Sequence, residues 1–243
     1  MENPWIELIN SKDITNFILS DEKEIIKKFN DRNRLTSATS EYDYQIHTDI
    51  MPAPFMGDVL NSPIVLLTLN PGWDPKEEKV GFYKKYDPFW EQIIQHKFPI
   101  PELPLFCLDD EYSEKSPYWA TKLRPLIKKT SKDLVAKNIS VIQFFPYQSK
   151  KYKDLYKDLY KDLTDDQLRS QKYNFELVRK AIDRNAIIVI LRSKRLWFDA
   201  IKELNPEDER HYKNVRFTNS SLNPTLSEKN LNGAFDEIVE RLK

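Results

Sequence analysis

Cysteine is nearly missing from this chain of 243 residues. Cys107 stands alone, so no internal disulfide can form and a reducing cytoplasm is the expected compartment. Within Leu105-Phe106-Cys107-Leu108 it reads as a small buried hydrophobe rather than a nucleophile. Histidine is scarce too, with three in all, and this inventory argues against a zinc finger or any other Cys/His metal site. No apolar run approaches the roughly 20 residues that span a bilayer. The start, Met1-Glu2-Asn3-Pro4-Trp5, has neither the basic patch nor the apolar stretch of a secretion signal. Neither sign of charge is in excess: 38 Lys and Arg balance 38 Asp and Glu. That counts mildly against a nucleic-acid partner but leaves room for a local basic face.

What the chain does have is a hydrophobic share of 40%, 12% of its residues aromatic, which is enough for a folded core. The run Pro63-Ile64-Val65-Leu66-Leu67-Thr68-Leu69 is apolar throughout and of strand length, so it predicts a strand covered on both faces. Residues 139–145 and 186–191 have the same character, and 215–218 is a weaker fourth candidate. Upstream, Pro52 and Pro54 favour an extended connection. Helical spacing of apolar residues marks 119–132, 166–184, 193–204 and the tail from Ser227, where Leu231, Phe235, Ile238 and Leu242 share a stripe. An earlier helix starts near Ser20 or Asp21 as cap, with Glu22 and Glu24 at the positive end of its dipole.

Apolar strands alternating with helices predict a three-layer α/β/α sandwich with a central, mainly parallel four-stranded sheet. No linker divides the chain, so one domain is expected, with residues 1–50 as a helical extension packed on it. In such sheets ligands bind at the carboxyl ends of the strands. The tract Lys153-Asp154-Leu155-Tyr156, repeated twice more through Leu163, has a period of four. It places like residues at i, i+4 on a helix, either as a solvated surface or as a basic-aromatic face that touches nucleic acid.

The loop after the first strand, Asn70-Pro71-Gly72-Trp73-Asp74-Pro75, holds one of only four glycines in the chain. Asn70 projects a carboxamide from the strand tip, which can hold and aim a water but cannot take a full proton. Taken alone, Asn-Pro-Gly is an ordinary turn.

The order of such loops resembles the uracil-DNA glycosylase superfamily. Thr68-Leu69-Asn70-Pro71-Gly72 is similar to the Gly-Ile-Asn-Pro-Gly motif of its mismatch-specific branch, and Pro52 to Asp58 resembles the stretch that leads into that strand. Near the C-terminus, Ser221-Leu222-Asn223-Pro224-Thr225-Leu226-Ser227 resembles the family's second motif, Asn-Pro-Ser or His-Pro-Ser, ahead of a final helix. The resemblance runs from about Pro52 to the C-terminus.

The resemblance implies a protein that flips a base out of DNA and hydrolyses its N-glycosidic bond. Asn70 and Asn223 would be the catalytic positions, Asn70 orienting the water. Gly72, Trp73, Phe145, Tyr147, Thr225 and Ser227 would meet the base or its flanks, although each aromatic by itself reads first as core. Arg192, Ser193, Lys194 and Arg195 would contact the DNA backbone, or else form only a solvated helix start. The expected partner is DNA, the expected state a monomer, and neither cofactor nor metal is implied.

Three positions depart from the family. Asn70 replaces the acid of many members, Asn223 stands where the fastest members have histidine, and Gln143, Phe144 and Phe145 stand where a pyrimidine-reading asparagine is usual. These count against uracil itself as substrate. Gly72 replaces the aromatic that fills the space beside carbon 5 in uracil-specific members, which suits a 5-substituted pyrimidine. Two other readings stay open: a non-catalytic nucleic-acid or nucleotide-binding module on the same fold, and an unrelated doubly wound protein that binds a small metabolite.

Overall fold

The structure is a computed structural model and describes residues 1–11, 16–34, 44–73, 87–97, 104–160, 167–220, 222 and 224–243. In chain order its elements are α1 (Ile6–Asn10), α2 (Lys23–Asn33), β1 (Phe55–Met56), β2 (Ile64–Thr68), α3 (Asp87–Ile94), α4 (Asp110–Lys115), α5 (Tyr118–Lys129) and α6 (Lys132–Asn138). Then come β3 (Ile139–Gln143), α7 (Leu155–Leu159), α8 (Arg169–Asp183), β4 (Ile187–Ile190), α9 (Lys194–Ala200), β5 (Val215–Phe217), α10 (Glu228–Leu231) and α11 (Ala234–Leu242).

The sheet runs β1-β3-β2-β4-β5, parallel except for β1. Every residue of β2, β3 and β4 is buried, as their mainly apolar sequences require, with Thr68, Ser140 and Gln143 as the buried polar members. Alternate side chains go to opposite faces. Val65, Leu67, Ile142, Ile188 and Ile190 pack with Phe175, Leu177 and Val178 of α8, while Ile64, Leu66, Val141, Ile187 and Val189 pack with Leu123 and Leu126 of α5 and Phe235 and Ile238 of α11. Each such side chain, fully buried, contributes about 1.5–3 kcal/mol. The result is an α/β/α sandwich. Trp5, Leu8, Leu19, Ile26 and Phe29 of the N-terminal segment join the cluster on the α8 face.

The sheet has five strands rather than four. Phe55 and Met56 pair antiparallel with Ile142 and Val141 at the edge, a ladder too short to leave a period in the sequence. Prolines are tolerated at such an edge, and here Pro54 serves as acceptor, its carbonyl taking the Gln143 amide at 3.0 Å. Gly57 then passes under the β3 start with φ +75, where a Cβ would lie 2.6 Å from the Ile139 carbonyl oxygen.

Several helices differ from expectation for local reasons. Residues 118–138 form two helices, because Ser131 caps a new one by accepting the Leu134 amide at 3.1 Å. The tail is broken between α10 and α11 by left-handed backbone at Asn232 (φ 45) and Gly233 (φ 85). The four-residue repeat is helical only at Leu155–Leu159, and residues 161–166 lie outside the described part. Glu22 does not cap α2 through its side chain; it turns into the interior. Among the described residues no helix is long and apolar enough to cross a membrane.

Candidate functional site

The chain leaves β2 for β3 on one side and later returns to β4 on the other. The carboxyl ends of β2 and β4 therefore form a topological switch point, where sheets of this kind open a crevice. Because the four strands are parallel, the segments that follow β2, β3, β4 and β5 all emerge along this same edge.

Past β2 the chain stays tied to the segment after β3. The amides of Phe144, Phe145 and Ser149 donate in turn to the carbonyls of Thr68 (3.1 Å), Leu69 (2.8 Å) and Pro71 (3.3 Å). The Thr68 carbonyl also receives the indole N–H of Trp197 at 3.0 Å, which fixes the strand tip from the α9 side. Thr68 and Gln143 pair through their side chains inside the sheet, both buried, so Gln143 is committed to the core.

Asn70 follows directly and is half-buried. Its Nδ2 donates to the Ser149 carbonyl and Ser149 hydroxyl, each at 3.0 Å, and to the Pro71 carbonyl at 3.1 Å. The amide plane is thereby set, and among the described residues no donor bonds to Oδ1. A fixed carbonyl oxygen at a strand tip can take a hydrogen bond from water and hold that water in one place.

Gly72 is exposed and bridges to Ser149, and a Cβ built on it would meet nothing within 4 Å among the described residues. Among the described residues, open space thus borders the Asn70 loop. Next to it, Trp73 stacks on His47 with ring centroids 3.8 Å apart and planes 6° from parallel. His47 arrives on a separate strap whose amide donates to the Gln148 carbonyl at 2.9 Å, and its Nδ1 is 3.7 Å from Asp49. His47 has no place in the sequence argument. Nothing in Gln45-Ile46-His47-Thr48 marks it, and only the scarcity of histidine could have drawn notice.

Phe145 and Tyr147 lie elsewhere. Phe145 is 3% exposed among Tyr147 and Tyr152, and Tyr147 is fully buried against the edge of Trp5. The Tyr147 hydroxyl donates to Glu22 Oε2 at 2.6 Å and accepts the Leu19 amide at 3.3 Å. Neither ring faces the open space at Gly72. Burial, together with the Glu22 charge, raises the Tyr147 hydroxyl well above its ordinary value.

The second motif is only partly visible, since Asn223 lies outside the described residues. Thr225 and Ser227 support the start of α10: the Thr225 carbonyl accepts from Asn230 Nδ2 at 2.9 Å, and the Ser227 carbonyl accepts the Leu231 amide at 3.0 Å. Between them Leu226 is fully buried, its amide donating to the Lys122 carbonyl of α5 at 3.0 Å.

The cations after β4 diverge. Arg192 turns toward the second-motif loop, with Nη2 donating to the Leu222 carbonyl at 3.3 Å. Ser193 takes left-handed backbone (φ 58, ψ 42) and starts α9. Lys194 lies over the Phe217 ring at 4.7 Å, on the wall of a 460 Å³ groove shared with Arg216 and Glu237 at the β5 edge. Arg195 is exposed. Among the described residues there is no group of three or more His, Cys, Asp or Glu that could hold a metal. No family model, no curated protein and no solved structure matches this chain.

Proposed function

We propose that this protein is a DNA glycosylase that hydrolyses the N-glycosidic bond of a pyrimidine carrying a substituent at carbon 5. The observation that carries the reading is Asn70: its amide is clamped to Ser149 at the switch point, and its Oδ1 is left to accept from water beside the open space at Gly72. The resemblance of the Asn70 and Asn223 loops to the glycosylase motifs supplies the reaction class. Partners of the base and a DNA strand follow from it.

In this reading the base is extruded from the stack, because its sugar carbon cannot be approached inside the helix. Asn70 Oδ1 accepts a hydrogen bond from a water and aims its oxygen at the anomeric carbon. The carbon–nitrogen bond breaks with its electron pair leaving on the base, and the water oxygen bonds to the cationic sugar carbon. The water's proton goes to solvent, since a carboxamide does not take it, and the base anion is protonated from solvent. Chemistry of this kind is slow compared with that of an enzyme that has a true base, and favours a base that departs readily.

The test is release of free base from oligonucleotides carrying uracil, mismatched thymine or larger 5-modified pyrimidines, with enzyme in excess. Cleavage of a 5-substituted pyrimidine in preference to uracil is expected. If all are bound and none is cleaved, the glycosylase reading fails and the binding module takes its place. One observation favours that second reading: the strand-tip group is an amide with no proton-accepting capacity.

A further inference from the structure

Trp73 differs from the other tryptophans of the chain in what it packs on. Trp5 and Trp197 are fully buried, and Trp90 and Trp119 lie against the hydrophobic clusters. Among the described residues Trp73 alone of the five joins neither cluster. It is half-buried nonetheless, and the ring it meets is polar. The His47 imidazole lies 6° from parallel to it, with centroids 3.8 Å apart. Among the described residues no second ring touches Trp73, and its indole N–H donates to none of them. His47 thus covers one face of the indole, and no ring of the described residues covers the other.

The backbone seats this stack against the Asn70 loop. The Phe17 amide donates to the Thr48 carbonyl at 2.6 Å, the His47 amide to the Gln148 carbonyl at 2.9 Å, and the Ser149 amide to the Pro71 carbonyl at 3.3 Å. Four stretches of chain are therefore hydrogen-bonded in series, from the N-terminal segment to the loop after β2. His47 and Gly72 bridge to consecutive residues, Gln148 and Ser149. The segment that clamps the Asn70 amide is the one that carries His47.

A large ring kept off the core adds little to the burial that holds the fold, so its use lies elsewhere. A second planar ring behind it fixes its plane and leaves the opposite face for a third. The group that a flat indole suits is a nucleobase, because every base has a π face and stacking depends little on which base it is. Trp73 also adjoins Gly72, whose Cβ position is open among the described residues.

We propose that Trp73 is the platform on which the extruded pyrimidine stacks, and that His47 is a positioning residue that fixes the plane of this platform from behind. The choice of a base as the stacked group rests on the glycosylase reading above. His47 touches no reacting atom and acts through the Trp73 ring. By this assignment the N-terminal region belongs to the site, since it supplies His47 and, through Phe17, the strap's support.

The experiment follows tryptophan fluorescence of the full chain as it binds either of two short single strands. One carries a single 5-hydroxymethyluracil on a fluorinated sugar that resists base release, and the other an abasic analogue in its place. The base-bearing strand should quench the emission and the abasic strand should not. The quench should vanish in Trp73→Phe with affinity kept, because a phenyl ring also stacks. Trp73→Leu should weaken binding of the base-bearing strand about tenfold and leave the abasic strand unchanged. His47→Ala should weaken binding of the base-bearing strand about threefold, the value of a lost ring pair, and His47→Phe should restore it. Thermal unfolding checks that each variant folds, and the two Phe variants keep the claim open to refutation where the smaller side chains unfold the protein. Overturning results are equal quenching by both strands, a quench that survives Trp73→Phe, a Trp73→Leu variant that binds both strands as the parent does, or a His47→Ala variant equal to the parent. Base release is scored separately, on the same strand with an ordinary deoxyribose. Release without a base-dependent quench sinks only this platform, while a base-dependent quench at Trp73 without release sinks only the glycosylase reading.

Discussion

Ser149 holds Asn70 by two hydrogen bonds from a single nitrogen, one to its carbonyl and one to its hydroxyl, each 3.0 Å long. The two residues are 79 apart in the chain, and they meet because β2 and β3 are neighbours whose hydrogen bonding continues past the strand ends. The pair fixes which way the Asn70 carboxamide faces.

If that orientation serves a water, Asn70→Ala should lose roughly 10²–10⁴-fold in single-turnover base release with little change in binding. Ser149→Ala removes one of three acceptors and should cost about three- to tenfold in the same rate, the value of one hydrogen bond. Asn70→Asp is the more telling variant. Its second oxygen would face the carbonyls of Ser149 and Pro71, which now accept from Nδ2 at 3.0 and 3.1 Å. Repulsion should raise the carboxyl's pKa and prevent a rate above the parent's at neutral pH. A large gain in rate from Asn70→Asp would show that the clamp does not set the orientation.

Gly72→Tyr tests the open space. The glycine has no positive φ and, among the described residues, no neighbour within 4 Å of a Cβ, so the substitution should change stability by less than about 0.5 kcal/mol. It should nonetheless lower the rate on 5-substituted bases about tenfold or more while sparing uracil, because bulk would occupy the room beside carbon 5. Equal effects on both substrates would mean that the base does not sit over Gly72.

The three central strands were legible because β2, β3 and β4 are mainly apolar on both faces, and Ser140 and Gln143 of β3 are three apart, so no alternating polar period appears to mislead. β5 was fainter for a physical reason: only Val215 is buried, while Arg216 and Phe217 are half-exposed. The loop after β2 could be found as a turn at the end of a buried strand. Its partner could not, since Ser149 sits in no motif and acts mainly through its backbone. Tyr147 could not be placed from sequence, because Phe144-Phe145-Pro146-Tyr147 gives no sign of which rings turn inward once the strand has ended. What turns Tyr147 inward is Glu22, and an acid in a helix's first turn reads from sequence as a dipole partner. Here it is 2% exposed and serves as a buried acceptor.

His96 should make the fold acid-sensitive well above the carboxylate range. Burial first, and the Lys180 charge second, lower its pKa from 6.5 to about 4, with Asp58 opposing. Its Nε2 is 2.6 Å from the Tyr173 hydroxyl, and its ring stacks on Phe55 with centroids 5.0 Å apart. Between those two pH values the unfolded chain binds a proton that the folded chain refuses, so stability falls as pH drops through the window. The loss should reach roughly 2–3 kcal/mol at its lower end. His96→Asn keeps a residue that tolerates the left-handed backbone (φ 55) and should flatten this part of the stability curve. Chemical denaturation at a series of pH values reads it directly, and an unaltered curve in the variant would reject His96 as the source.

Tyr147 and Glu22 give the opposite sign. Glu22 accepts from the Tyr147 hydroxyl at 2.6 Å, the Ser170 amide at 2.7 Å and the Ser170 hydroxyl at 3.0 Å, joining the N-terminal segment to α8 and the segment after β3. Burial outweighs these three donors and raises its pKa above the ordinary 4.5. The folded chain therefore keeps a proton that the unfolded chain gives up. Stability is full below the ordinary carboxylate value and declines as pH rises through it toward the raised one. Glu22→Gln should remove that decline, at a fixed cost of about 1–3 kcal/mol for setting an amide donor against donors. Tyr147→Phe leaves the Leu19 amide without a partner and removes one of the two donors to Glu22 Oε2, the Ser170 hydroxyl remaining, and should cost a similar amount. Its rate of base release, measured where the variant is fully folded, should equal the parent's, because the ring faces Trp5 and the core. A fall in that rate with stability intact would return Tyr147 to the substrate side.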